Sequence, residues 1–135
     1  MSFIKIISNN IGKFIPWTIV RLLYVLDKIT DPHNVGAIIR SCDQFGVSLV
    51  LIPEHKSSNN IEDNDVIARS SAGASAWVPV SIVNNLVRAV EKLKEAGFWV
   101  YGADAGGQTC GKIDSLNVSV ATGVLLYEIF RRKNI

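Results

Sequence analysis

Residues 23–47, LYVLDKITDPHNVGAIIRSCDQFGV, decide how the rest of the chain is read. An apolar, β-branched run from Leu22 to Ile29 breaks at Thr30-Asp31-Pro32, after which Val35, Ile38, Ile39 and Cys42 recur at helical spacing up to Gly46. The pattern predicts strand, tight loop, helix. It places the polar side chains of Asp31, His33 and Asn34 at the carboxyl end of a central strand, where open α/β sheets bind ligands.

Working outward, Val47–Pro53 is a second buried strand bounded by Gly46 and Pro53. Two strands joined by one helix form a βαβ unit with a right-handed crossover, so the strands are parallel. Glu54–Asp65 is polar and aperiodic and reads as an exposed loop in which His55 has no neighbouring ligand set. Val66–Ala76 is weakly helical and rich in small residues, which lets two backbones approach closely; Arg69, its one charge, is either a solvated helix residue or a phosphate contact. Trp77–Val83 is a third strand, and Pro79 within it argues for a sheet edge. Asn84 or Asn85 then caps an amphipathic helix, Leu86–Ala96, that Gly97 ends. Phe98–Asp104 is the fourth strand. After GGQTCGKID comes an apolar helix, with Asp114 or Ser115 expected as cap and Arg131-Arg132-Lys133 at its carboxyl end. Leu116, Val120, Val124 and Tyr127 make one apolar stripe on it, and Val118, Leu125 and Ile129 a second. A helix apolar on both faces lies deep in a core or is shared with a second subunit.

The 135 residues suit one domain, and 48% hydrophobic with 19% charged residues excludes a disordered chain. A net charge of +2 permits a nucleic-acid partner without demanding one. Cys42 and Cys110 lack metal-type spacing and read as reduced thiols of a cytoplasmic protein, with no metal expected. Residues 1–22 carry no acidic residue and no apolar run of the roughly 20 residues that span a bilayer. They also lack a small-x-small cleavage site, and are read as a docking arm or the remnant of an upstream domain.

Two stretches carry a resemblance. DPHNVGAIIRSCDQFGV resembles the first signature motif, and SLNVSVATGVLLYE the last, of the SpoU (TrmH-type) RNA 2′-O-ribose methyltransferases of the SPOUT superfamily; FWVYGADAGG is similar to the fourth-strand region of the bacterial ribosomal-RNA guanosine members. The resemblance implies a parallel α/β sheet with a trefoil knot, a homodimer, S-adenosylmethionine as methyl donor and an RNA ribose, in ribosomal RNA, as acceptor. It implies catalytic roles for Asn34, Arg40, Ser115 and Asn117. Leu116, Asn117, Gly102 and Ala103 would face the cofactor, Arg40, Arg69 and His33 the RNA, and Glu128 would support the last helix. A guanidinium is a poor base, so Arg40 is expected to hold the acceptor's phosphate and lower the pKa of the 2′-hydroxyl. Asn34 and Arg40, six residues apart, point about 120° apart on a regular helix, and converge only if Asn34 is its N-cap.

The sequence also departs from the family. The methyltransferase domain, residues 23–135, lacks between Cys110 and Gly111 the segment with the middle motif that cradles the adenosyl group and closes the knot. A knot through a missing loop cannot form. The competing reading is a catalytically inactive, internally deleted remnant that dimerises or binds RNA. A generic flavodoxin-like domain finds no support, since Asp27 stands alone after the first strand and no glycine-rich phosphate loop follows.

Overall fold

A computed structural model of the chain describes residues 3–8, 22–27, 29–54, 61, 64–103, 112 and 116–133. Five strands form one sheet in the order β4-β3-β2-β1-β5, namely β1 (Phe3–Ser8), β2 (Leu22–Asp27), β3 (Leu49–Pro53), β4 (Val80–Val83) and β5 (Trp99–Ala103). Among the described residues four helices accompany it: α1 (Pro32–Gln44), α2 (Asp65–Ser70), α3 (Leu86–Glu95) and α4 (Val118–Lys133). No helix among the described residues is long and apolar enough to cross a membrane.

The β2-α1-β3 unit forms as the opening stretch predicts, with β2, β3 and β4 parallel. Strand alternation on β3 divides the core. Val50 and Ile52 join Leu26, Val35, Ile38, Ile39, Cys42, Ile67 and Leu126 in a large cluster under α1, α2 and α4, whereas Leu49 and Leu51 pack with Val90, Leu86 and Leu93 of α3 on the opposite face. The sheet therefore lies between two helical layers.

Two elements depart from the sequence reading. Phe3–Ser8, read as part of an arm, is a full strand inside the sheet, antiparallel to both β2 and β5. A six-residue run rich in isoleucine suffices for a strand once two open sheet edges are available to pair with it, and those edges are tertiary facts. The third strand is shorter than expected. Trp77 and Val78 bond back to the Ala74 carbonyl and close a 3-10 turn at Ala74–Ala76, so pairing starts at Val80, and β4 does lie at the sheet edge.

Candidate functional site

The loop after β2 begins with a helix cap. Asp31 is the N-cap of α1: its Oδ1 accepts from the His33 amide at 2.9 Å, and Pro32 takes the first helical position, where no N–H is needed. This corrects the placement of Asn34 as cap. The Asp-Pro pair at the helix start was the signal for it. Asn34 is the third helical residue, and the helix geometry leaves it about 120° from Arg40. Arg40 instead lines up with His33, seven residues earlier and about 20° and 10.5 Å away, so that His33, Ala37, Arg40 and Gln44 make one outward stripe. Among the described residues Arg40 makes no ion pair, so this stripe offers a free guanidinium.

Two helices pack against α1. On one side α2 packs so tightly that a Cβ added at Gly36 would lie 1.8 Å from Ser70 Oγ and 2.9 Å from the Ile67 carbonyl oxygen. Ser70 Oγ donates to the Val66 carbonyl at 2.7 Å and lies 3.4 Å from the Pro32 carbonyl, tying α2 to the first turn of α1. The small-residue stretch thus serves the close approach expected of it. It sets Arg69, exposed and with Nε bonded to the Asp65 carbonyl at 3.3 Å, on the helix beside α1.

On the other side lies α4. Phe45, just after α1, meets Tyr127 and Phe130 at ring-centroid distances of 6.4 and 5.8 Å. The helices of the first and last motifs therefore pack against each other, with Phe45 on the second half of α4. The first turn of α1, with Asn34, lies at the carboxyl side of β2. Asn117 Oδ1 accepts from the Ser119 amide at 2.8 Å and its hydroxyl at 2.5 Å. Asn117 is thus the cap, in place of the expected Asp114 or Ser115. Both of those residues, with His55 and Cys110, lie outside the described residues.

The cofactor residues stand apart. Gly102 is exposed near the end of β5 beside Ala103, and a Cβ built on it would meet nothing within 4 Å. Leu116 is 63% exposed. At the far end of α4, Glu128 accepts from Arg131 Nε and Nη2 at 3.0 and 2.9 Å and from Arg132 Nε at 2.8 Å. These bonds, Arg131's first, lower its pKa from the ordinary carboxylate range to about 2. Glu128 supports the last turn of its helix and lies away from the first turns. Burial pushes the Cys42 thiol far up, so it is a core residue rather than a nucleophile. An open cleft of about 640 Å³ at the carboxyl ends of β3 and β4 is lined by Glu54, Asn84, Asn85, Arg88 and Lys92, of mixed charge and with none of the expected site residues. Among the described residues no cluster of three His, Cys, Asp or Glu could hold a metal ion.

Residues 21–113 match the SpoU rRNA Methylase family. The chain belongs to the SpoU family. Among SpoU relatives it is 34% identical to an uncharacterized tRNA/rRNA methyltransferase of Borreliella burgdorferi and 35% identical to the 23S rRNA (guanosine-2′-O-)-methyltransferase RlmB of Pseudomonas aeruginosa, each over 84% of this chain. It spans 65% and 60% of their lengths. The SpoU methyltransferase AviRb of Streptomyces viridochromogenes, in complex with AdoMet, shares the SpoU fold with a TM-score of 0.63 at 22% identity, over 82% of this chain and 56% of that one. The alignment with the Borreliella protein runs over 151 positions and takes in 84% of this chain, about 113 of its 135 residues, so about 38 positions have no counterpart here.

Proposed function

We propose that this SpoU domain transfers a methyl group from S-adenosylmethionine to a ribose 2′-hydroxyl of RNA, with a guanosine of ribosomal RNA as substrate, in the cytoplasm. The observation that supports this is the packing of α1 against α4, the helices of the first and last motifs, on a sheet whose strand β2 delivers α1 at its carboxyl end. The open space over Gly102 and the uncovered side chain of Leu116 each suit contact with a flat apolar group such as adenine. S-adenosylmethionine, when bound there, supplies an electrophilic methyl group, and the chain's work is to place the acceptor in line with it.

Arg40 and His33 hold phosphates of the acceptor strand from their common stripe, and Arg69 extends the track on α2. The positive charge of Arg40 also favours the ionised form of a nearby 2′-hydroxyl, easing departure of its proton. Asn34, in the first turn of α1, offers an amide to the ribose. Asn117 and Ser115 open the last motif, Asn117 by holding the helix start against which the ribose would rest.

The acting form is a homodimer. Leu116, Val120, Val124 and Tyr127 are 52–63% exposed along α4, an apolar stripe of the kind a second subunit covers. Transfer of tritium from labelled S-adenosylmethionine to ribosomal RNA, with loss in Arg40→Ala, tests the reading; no cofactor heat by calorimetry at millimolar concentration would refute it. A second reading, a dimerising RNA-binding module without transfer, is favoured by the 38 or so positions without counterpart, placed between Cys110 and Gly111 in this reading. It predicts RNA binding with no tritium transferred.

A further inference from the structure

Trp77 stands on the surface with its ring held in place. It is 60% exposed, yet its indole Nε1 donates to Asp43 Oδ1 at 2.6 Å. Gln44 Nε2 donates to the other oxygen at 3.3 Å, so that carboxylate is taken up by two donors. The six-membered ring lies beside Gly73, where an added Cβ would come to ordinary contact distance, 3.7 Å from Trp77 Cζ3. Gly73 has a φ of +86°, and its turn is closed by bonds from the Gly73 amide to the Ala68 carbonyl at 2.9 Å and from the Trp77 amide to the Ala74 carbonyl at 3.1 Å. The indole is thus fixed by the fold while most of its surface stays in water, and a group fixed in advance loses little freedom on binding.

The fold also decides what stands next to that ring. Gly36 and Asp43 lie to the same side of Arg40 on α1, about 40° and 60° round the helix, and Arg40 falls between them along the axis. Gly36 meets α2 at Ser70 and Asp43 meets Trp77, so α2 and the turn after it wall that side of Arg40. The Cα atoms of Arg40 and Asp43 are about 5 Å apart. An exposed cation without an ion pair among the described residues and a fixed, exposed indole are therefore neighbours. A protein contact centred on a tryptophan surrounds it with apolar side chains, whereas here Asp43, Gln44, Gly73 and Arg40 stand around it. An anionic phosphate joined to a flat base matches a cation beside a ring.

We infer that Trp77 is a stacking platform for an unpaired RNA base, beside Arg40, which takes a phosphate of the same strand. The neighbourhood of ring and cation is a property of the fold; that Arg40 holds RNA rests on the proposed function. The base has to be unpaired, because only a splayed base offers its face to a side chain. Every base has such a face, so the platform adds affinity for single-stranded RNA without reading its sequence. The phosphate contact releases counterions and the stack does not, which separates the two in salt titrations.

Binding of a short single-stranded RNA of mixed sequence to the full chain, followed by anisotropy across a salt series, tests this. Trp77→Ala is expected to weaken binding about tenfold or more with the salt slope unchanged. Trp77→Phe, which keeps a ring, should restore affinity to within about threefold, and Arg40→Ala should lower the slope by about one. Unchanged affinity in Trp77→Ala overturns the inference, as does a loss that comes with a lower salt slope or that Trp77→Phe fails to restore. A change in the mass of the assembly with RNA affinity intact also overturns it, and assigns the ring to a protein contact. Should Trp77→Ala not fold, the fluorescence of Trp77 in a Trp17→Phe, Trp99→Phe chain decides: quenching by the RNA supports the stack, and emission unchanged at saturation overturns it. Affinity that depends on Trp77 without tritium transfer would support the platform and refute methyl transfer. Tritium transfer with full affinity in Trp77→Ala would do the reverse, and no RNA binding by the parent chain would overturn both.

Discussion

Gly36→Ala tests the contact that positions the RNA-facing helices. The new methyl carbon would lie 1.8 Å from Ser70 Oγ, 2.8 Å from Ser70 Cβ and 2.9 Å from the Ile67 carbonyl oxygen. Rotating the Ser70 hydroxyl away removes only the first clash, and it breaks the 2.7 Å bond to the Val66 carbonyl. The other two involve Cβ and backbone, so α1 and α2 have to move apart. Overpacking of this kind costs about 1–3 kcal/mol, and replacing a helical glycine by alanine returns about 1 kcal/mol of helix propensity. Contacts this close put the cost at the upper end, so the net expectation is a loss of about 2 kcal/mol, or roughly 6–10 °C in Tm for a chain of this size, read by circular dichroism on heating and in urea. Ser70→Gly in the same background removes two of the three close contacts, so the double variant should be less destabilised than the sum of the singles by about 1 kcal/mol. A Gly36→Ala protein as stable as the parent, or more so, would refute the close approach of α1 and α2.

Three other outcomes follow from named contacts. Asn117→Ala should destabilise α4 by about 1 kcal/mol in urea unfolding, and Asn117→Ser, which caps equally well, should restore stability; methyl transfer absent in the serine variant would assign Asn117 a role beyond the cap. Glu128 is held at about 2 by its arginine partners, so its stabilisation of the α4 end is complete above the ordinary carboxylate pKa of 4.5 and is lost as pH falls toward 2. Helicity followed by circular dichroism between pH 5 and 2 should fall less in Glu128→Gln relative to its own value at pH 5. With Cys110 changed to Ser, a thiol reagent at pH 8 should label Cys42 only after denaturant is added; labelling of the native protein would contradict its burial.

Much of the fold was legible because its signals are local. Apolar periodicity marked β2, α1, β3, α3 and α4, and the small residues around Ser70 announced a close helix approach, which Gly36 completes from the other side. The cap of α1 was misplaced although the Asp31-Pro32 pair carried it, because Asn34 is also a good capping residue and only the hydrogen bond chooses between them. The packing of α1 against α4 could not be read from spacing. It joins Phe45 to Tyr127 and Phe130, more than 80 residues further along the chain. The pairing of Arg40 with His33 was readable in principle, since a separation of seven repeats the helix face once the true start is known.

By itself the amino-acid sequence determined the βαβ unit, Arg40 on α1 and the two ends of a SpoU domain, since helical and strand periods are set by the residues that form them. Tertiary structure alone decided where Phe3–Ser8 goes. A short apolar strand pairs with whichever edges stand open, and the edges of β2 and β5, 72 residues apart at Asp27 and Trp99, exist only once the sheet has formed around them.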